Sequence, residues 1–261
     1  MSEEVDAGRR SPGPVQSVDR ALDLLEALAT AEVSLGVGEL ARELGLPQGT
    51  THRLLRSLEQ RGYVHQGANR KYLIGTAALR LGDAAQRSLA RSARPYLEEL
   101  VELSGESANL AVLEGQDVVY VAQSPSPYSL RMFTEVGRHV TPHSTAVGKV
   151  LLGALPRDRA VSVLRRSGLP RHTEHTITDL DTLLAELDET QERGWGVDEG
   201  EQEVGVRCVA VPIAQRGRVV AAVSLSGPTA RFKGAATPGL VEEMTRVAEL
   251  LSVEVLGGEE E

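Results

Sequence analysis

Residues 37–75 have the sequence VGELARELGLPQGTTHRLLRSLEQRGYVHQGANRKYLIG. Apolar residues recur every three or four positions on both sides of the turn Gly45-Leu46-Pro47, which predicts two short helices joined tightly. After Gly62 the apolar spacing changes to alternation, in two short runs around a glycine- and asparagine-containing turn at 67–70. This pattern predicts a β-hairpin. A helix-turn-helix followed directly by a hairpin is typical of a winged helix.

Further helices are predicted on both sides of this unit. Upstream, apolar spacing predicts a helix over 16–29, with Ser17 as its expected N-cap. Downstream, the alanine-rich stretch predicts a helix over 76–92, and Pro95 is expected to open a separate helix over 96–103. We divide the chain into a disordered leader 1–14, a winged helix-turn-helix domain 15–75, a linker helix 76–92, a second domain 93–257 and an acidic tail 258–261.

Strand and helix patterns are interspersed along the second domain. Strands are predicted at 109–113, 118–122, 130–133, 206–211 and 219–225. Helices are predicted at 146–154, 158–166, 180–193 and 238–256. We therefore predict an α+β protein whose second domain has a mixed or antiparallel sheet flanked by helices.

Charge is spread unevenly along the 261 residues, whose formal net charge is −9. Between positions 48 and 80, six basic residues are accompanied by one acidic residue. A basic segment on an acidic protein concentrates attraction for phosphate in one place. This distribution favours nucleic acid as the partner of the helix-turn-helix, although a solvated helix face would show similar charges.

Composition argues against several other classes of protein. No apolar run approaches the roughly 20 residues that cross a bilayer, and the first ten residues do not resemble a signal peptide. The single cysteine, Cys208, cannot close an intrachain disulfide or form a thiolate-rich zinc site. We therefore expect a cytoplasmic protein without a membrane partner.

The third helix of the winged helix has the residue types of a DNA-reading element. Such a helix needs short side chains at its first turn and arginines further along, to reach base edges or phosphates. The candidate DNA-binding residues of the helix are Gln48, Thr50, Thr51, His52, Arg53 and Arg56, and those of the wing are Asn69, Arg70 and Lys71. One such helix reads few base pairs, so specificity requires a dimer on a palindromic operator of double-stranded DNA.

Five short motifs resemble the isocitrate-lyase-regulator (IclR) family of bacterial regulators. They are QSVDRA at 16–21, TTHRLL at 50–55, YLIG at 72–75, HSTAVGKVLL at 143–152 and GVDEGE at 196–201. The resemblance implies a winged helix, a linker helix that pairs protomers and a GAF-like effector-binding and oligomerisation domain, in homodimers or homotetramers. Residues 131–137 and 201–208 look most similar to the branch of allantoin- and glyoxylate-utilisation repressors.

The same resemblance implies a site for a small polar effector. Ala146 and Val147 match the start of the helix that faces the ligand, where free N–H groups favour a carboxylate. The other matching positions are Asp198, Val206, Cys208, Ser224 and Ser226, with Val206 as an apolar wall. The implied effector is a short carboxylate, oxoacid or ureide, such as glyoxylate or an allantoin derivative.

These residues also have ordinary structural interpretations. A cysteine in a mid-strand position is often a small buried apolar residue, Asp198 could fix a turn, and serines near Gly227 could end a strand. On this alternative interpretation the protein binds DNA constitutively, and its second domain serves for oligomerisation without binding an effector.

A cysteine-dependent enzyme is the remaining alternative, but nothing visible in the sequence activates Cys208. We expect no catalytic residues and no cofactor. The histidine pairs His139 with His143 and His172 with His175 lack an obvious third ligand, so we expect no metal site.

Overall fold

The computed structural model describes residues 15–31, 33–132, 134–232 and 238–255. The predicted leader 1–14 and acidic tail 258–261 lie outside the described residues. The chain forms two compact units, and the boundary between them falls between Ala85 and Gln86. None of the described helices combines the length and apolar character needed to span a bilayer.

Among the described residues, three complete helices and a hairpin lie in the first unit. Their bounds are α1 Gln16–Thr30, α2 Val37–Glu43, α3 Gln48–Gln60, β1 Val64–Gln66 and β2 Tyr72–Ile74. The two strands are antiparallel, and the core contains Leu24, Leu28, Leu40, Leu55, Val64 and Tyr72. The predicted winged helix-turn-helix is confirmed.

Backbone groups and glycines, more than side-chain caps, define the start of α1 and the close contact between the hairpin and the end of α3. Val15 is the N-cap of α1 and provides no side-chain cap, so the prediction that Ser17 caps the helix is wrong because Ser17 already lies inside it. At the other end, the hairpin returns to the end of α3 through two glycines. A Cβ atom on Gly75 would lie 2.2 Å from the carbonyl oxygen of Gly62, so this approach requires glycine at position 75.

A single helix, α4, runs from Ala77 to Ser104. The sequence predicts two helices separated at Pro95, and this prediction is wrong. A proline inside a helix costs about 3 kcal/mol because it removes one hydrogen bond and crowds the preceding turn. Leu97 and Leu100 are fully buried in the core of the second unit, and burying each leucine contributes about 1.5–3 kcal/mol. Packing after Pro95 therefore outweighs the cost of the proline.

Six strands form the sheet of the second unit. Their bounds are β3 Ser107–Glu114, β4 Asp117–Ser124, β5 His139–Val140, β6 Gly196–Glu199, β7 Val206–Gln215 and β8 Arg218–Pro228. The strand order is β5-β4-β3-β8-β7-β6, and all neighbouring strands are antiparallel. The α+β prediction is confirmed, while the short strands β5 and β6 were absent from the sequence-based expectation.

The predicted strand at 130–133 is wrong for residues 130–132, and Phe133 lies outside the described residues. Leu130 is exposed, and its carbonyl oxygen accepts a hydrogen bond from the guanidinium of Arg231. The carbonyl oxygen of Met132 accepts a hydrogen bond from the hydroxyl of Ser107. Side chains thus bind two carbonyl groups of this segment, and residues 130–132 pair with none of the described strands.

Helices cover both faces of the sheet. Their bounds are α5 Ala146–Gly153, α6 Arg157–Ser167, α7 Leu180–Arg193 and α8 Pro238–Leu250, with a short 3₁₀ helix at Pro142–Ser144 and a π-helical turn at Leu251–Val255. The carboxyl-terminal half of α4 and α8 pack on one face with the main apolar core. On the other face lies α5, whose eight residues are all buried.

Candidate DNA-binding and effector-binding sites

The outer face of α3 carries basic side chains without partners. Gln48, His52, Arg53 and Arg56 are exposed and Thr50 is half-buried. Within the part of the chain that the structure describes, the guanidinium groups of both arginines lack ion pairs and hydrogen bonds. They are therefore available to phosphates and to the edges of bases.

Thr51 lies on the opposite face of α3, so its assignment as a DNA-binding residue is wrong. Its side chain is fully buried, and its hydroxyl donates a hydrogen bond to the carbonyl oxygen of Pro47 at 3.2 Å. Leu55 and Leu58, four and seven residues later, are also buried. This spacing of one helix face could have identified Thr51 as a core residue.

The three wing residues have different roles. Asn69 accepts a hydrogen bond from the backbone N–H of Lys71 at 3.0 Å and so fixes the turn. The ammonium of Lys71 pairs with Glu39 of α2 at 3.2 Å, which partly neutralises it. Arg70 is exposed and has a φ angle of 59°, a left-handed conformation that costs energy for any residue with a Cβ atom. The strained turn therefore presents the guanidinium of Arg70 at the tip of the wing.

The predicted effector residues of the sheet share one face. Asp198 of β6 lies opposite Cys208 of β7, which lies opposite Ser226 of β8. Ser224 points to the same side because it is two residues from Ser226, and Val206 because it is two residues from Cys208. Asp198, Ser224 and Ser226 are buried, whereas Cys208 and Val206 are half-buried.

Two residues of β3 extend this face and were missed from the sequence. Ser107 lies opposite Ser226, and Asn109 lies opposite Ser224. Both are fully buried, and the amide nitrogen of Asn109 donates a hydrogen bond to the Ser226 hydroxyl at 3.3 Å. Polar residues at alternate positions of a buried strand were the available signal. We name Ser107, Asn109, Asp198, Cys208, Ser224 and Ser226 the polar sheet face.

Burial controls the ionisation of the polar sheet face. Desolvation raises the pKa of Asp198 to about 7, although its carboxylate accepts a hydrogen bond from the backbone N–H of Glu201 at 2.6 Å. Desolvation and the charge of Asp198 also raise the pKa of the Cys208 thiol. Because a thiolate is the reactive form, this environment opposes nucleophilic chemistry at Cys208.

The amino-terminal end of α5 lies against the same side of the sheet. Thr145 is the N-cap, and its hydroxyl accepts a hydrogen bond from the N–H of Gly148 at 3.1 Å. The side chains of Ala146 and Val147 are buried in the apolar cluster that includes Cys208. Among the described residues, the backbone N–H groups of Ala146 and Val147 have no hydrogen-bond partner. This arrangement of free N–H groups favours an anionic ligand.

A buried ion cluster, also missed from the sequence, follows one turn later on α5. The ammonium of Lys149 lies 2.5 Å from a carboxylate oxygen of Glu201 and 3.5 Å from one of Glu186. Arg193 pairs with the same oxygen of Glu186 at 3.0 Å. A lysine within an apolar helix was the available signal, because a buried charge requires a partner.

The histidine pairs do not assemble a metal site in the described part of the chain. No group of three or more His, Cys, Asp or Glu side chains could hold a metal ion there. The imidazole of His143 is buried and lies 3.0 Å from the carbonyl oxygen of Pro170, and desolvation lowers its pKa.

Comparison with known proteins agrees with this architecture. Residues 17–68 match the model of the IclR helix-turn-helix domain, and residues 83–253 match that of the carboxy-terminal domain of bacterial transcriptional regulator IclR. The chain belongs to the IclR family. Its members are DNA-binding transcriptional regulators, and the family resemblance seen in the sequence is confirmed.

Individual relatives cover most of this IclR-family protein. It is 38% identical over 227 residues to the HTH-type transcriptional regulator KdgR of Escherichia coli strain K12, covering 85% of this chain and 86% of KdgR. It also resembles the structure of an IclR homolog complexed with 4-hydroxybenzoate from Microbacterium hydrocarbonoxydans. That likeness has a TM-score of 0.59 and 26% identity, and covers 93% of this chain and all of the other.

The comparisons do not single out one branch of the IclR family. The HTH-type transcriptional repressor AllR of Klebsiella pneumoniae is 34% identical over 221 residues, covering 83% of this chain and 81% of AllR. This identity is no higher than that to KdgR, so the allantoin-related branch is one of several that the sequence resembles.

Proposed function

We propose that this protein is a transcriptional repressor that binds a palindromic operator as a homodimer or homotetramer. The observation that carries the proposal is the outward face of α3, where Arg53 and Arg56 are exposed without partners on a chain of net charge −9. Unpaired guanidinium groups on a helix that follows a tight turn are suited to base edges and phosphates in a major groove. The proposal implies a cytoplasmic protein, because bacterial DNA lies in that compartment.

Selection of bound duplexes from a random-sequence pool tests this function. We expect a palindromic site whose half-sites are separated by about one helical turn or a multiple of it. Arg53→Ala should weaken binding to that site by about 1–3 kcal/mol without unfolding the protein. A protein that shows no preference for any duplex at moderate salt, with or without candidate metabolites, contradicts the proposal.

We further propose that a small polar metabolite binds between the polar sheet face and the start of α5. Hydroxyl, amide and carboxyl groups converge there with the free N–H groups of Ala146 and Val147. A wrong ligand would leave these buried groups unpaired, which costs about 1–3 kcal/mol for each group and provides selectivity. The chemistry suits a short carboxylate, oxoacid or ureide, such as glyoxylate or an allantoin derivative.

Thermal shift measurements against such metabolites separate sensing from a purely oligomerising second domain. A ligand at 100 times its dissociation constant should stabilise the protein by about 2.7 kcal/mol. Ser226→Ala should reduce the shift, whereas Ser129→Ala, at an exposed serine that is not part of the polar sheet face, should not. No shift with any member of the set would favour constitutive DNA binding.

We propose that coupling between operator DNA and the metabolite passes through the linker segment 76–92, nearly all of which belongs to α4. A metabolite that changes operator affinity must have its own affinity changed by operator DNA, by the same factor. Equal metabolite affinity with and without DNA would contradict this coupling.

A further inference from the structure

The first unit has a groove between the amino-terminal end of α1 and the outer side of α3. Its volume is about 390 Å³, and it is lined by Gln16, Ser17, Arg20, Thr50, Arg53, Leu54 and Ser57. The lining contains two guanidinium groups and several hydroxyl groups, but no carboxylate. The groove is therefore cationic and rich in hydrogen-bond donors.

Arg20 is the groove residue that lies on α1, outside the DNA-reading helix α3. It is half-buried on α1, and no described residue pairs with its guanidinium, although Asp23 lies three positions later on the same helix. Arg53 on the other wall is also unpaired. Two guanidinium groups that line one groove repel each other, so an anion between them would relieve a cost that the free protein bears.

We propose that this groove holds one phosphate of the DNA backbone, bound by Arg20 and Ser17 from α1 and by Arg53 from α3. The inference rests on the proposed DNA-binding function and adds α1 to the contact surface. We assign the phosphate to DNA because Arg53 belongs both to the groove and to the exposed basic face of α3. In a helix-turn-helix the phosphate contacts fix the register of the protein on the duplex, while base contacts specify the sequence.

The test measures binding of full-length Arg20→Gln to the selected operator and to an unrelated duplex over a series of salt concentrations. The loss of one phosphate contact should weaken binding to both duplexes by a similar factor, on the order of ten. It should also reduce the slope of log affinity against log salt by about 0.9 for each protomer. Arg61→Gln is the matched control, because it removes one exposed charge at the far end of α3. The control should keep the wild-type slope.

Two further arms separate this contact from a structural role of Arg20. Arg20→Lys keeps the charge and should retain most of the affinity and the salt slope. Operator duplexes that carry one neutral methylphosphonate at a time should reveal a phosphate whose neutralisation weakens the wild type more than it weakens Arg20→Gln, which keeps Arg53 as a partner. Equal slopes for Arg20→Gln and Arg61→Gln, or equal losses for Arg20→Lys and Arg20→Gln, would overturn the proposal and leave DNA binding by α3 intact. A wild type that binds no duplex would overturn both.

Discussion

The helices α3 and α5 place their basic side chains in opposite environments. On α3, Arg53 and Arg56 are exposed and unpaired, whereas on α5 the side chain of Lys149 is buried between Glu201 and Glu186. An exposed, unpaired charge contributes little to folding and stays available to a ligand. A buried, paired charge is part of the folded structure, since removing one partner leaves the others desolvated. The surroundings of a basic residue, more than its presence in a motif, therefore indicate its role.

The largest effect is expected at the buried end of this comparison. Lys149→Met should lower the free energy of unfolding by about 3–5 kcal/mol, because Glu201 and Glu186 lose their shared cation. Urea denaturation at pH 7 measures the loss. The double variant Lys149→Met with Glu201→Gln should recover part of the stability, and a single variant as stable as the wild type would show that the cluster is not needed for folding.

Asp198 should make stability depend on pH near neutrality. Its folded pKa of about 7 lies above the ordinary value of 3.8, so between these values the folded state binds more protons than the unfolded state. The contribution of Asp198 to stability is thus present below pH 4 and is lost as pH rises towards 7, by about 4 kcal/mol at most. Asp198→Asn should remove this loss. Urea unfolding of both proteins at pH 5 and pH 8 provides the comparison, and parallel profiles would contradict the prediction.

At the exposed end, charge removal should spare the fold. Arg56→Ala should change the free energy of unfolding by no more than about 0.5 kcal/mol, because its side chain has no partner to lose. Thermal denaturation measures the stability of the variant, and titration with the operator measures its DNA affinity. A loss of stability as large as the loss of binding would show that Arg56 has a structural role.

The smallest effect is expected at two hairpin tips. Arg70 in the wing and Arg216 between β7 and β8 both have positive φ angles, of 59° and 50°. Glycine at either position should relieve this strain and stabilise the protein by about 0.5 kcal/mol, once the greater freedom of unfolded glycine is subtracted. Only Arg70→Gly should also weaken operator binding. Equal operator affinity of the two variants would remove Arg70 from the contact surface.

The sequence predicted those parts of the molecule in which local pattern and tertiary packing agree. The winged helix and the hairpin of β3 and β4 have strong local signals, and both were found. Continuation of α4 through Pro95 depends on distant packing of Leu97 and Leu100, which local spacing does not report.

The candidate sites show the same limit. The four-residue spacing of Thr51 from Leu55 places both on the buried face of α3, but the residue type of Thr51 also suits a DNA contact, and the prediction followed the residue type. By contrast, the pairing of Ser107 and Asn109 with β8 requires strand order and register, which a single sequence does not give.

Both borders of the six-stranded sheet are very short. At one border β5 has two residues, and at the other β6 has four. Long exposed borders invite the backbone of another chain to add a strand, and short ones offer too few free hydrogen-bonding groups for this. The backbones of β5 and β6 therefore offer little to an added strand. The proposed homodimer or homotetramer would then be held by side-chain contacts, and interface variants are best sought on helical surfaces.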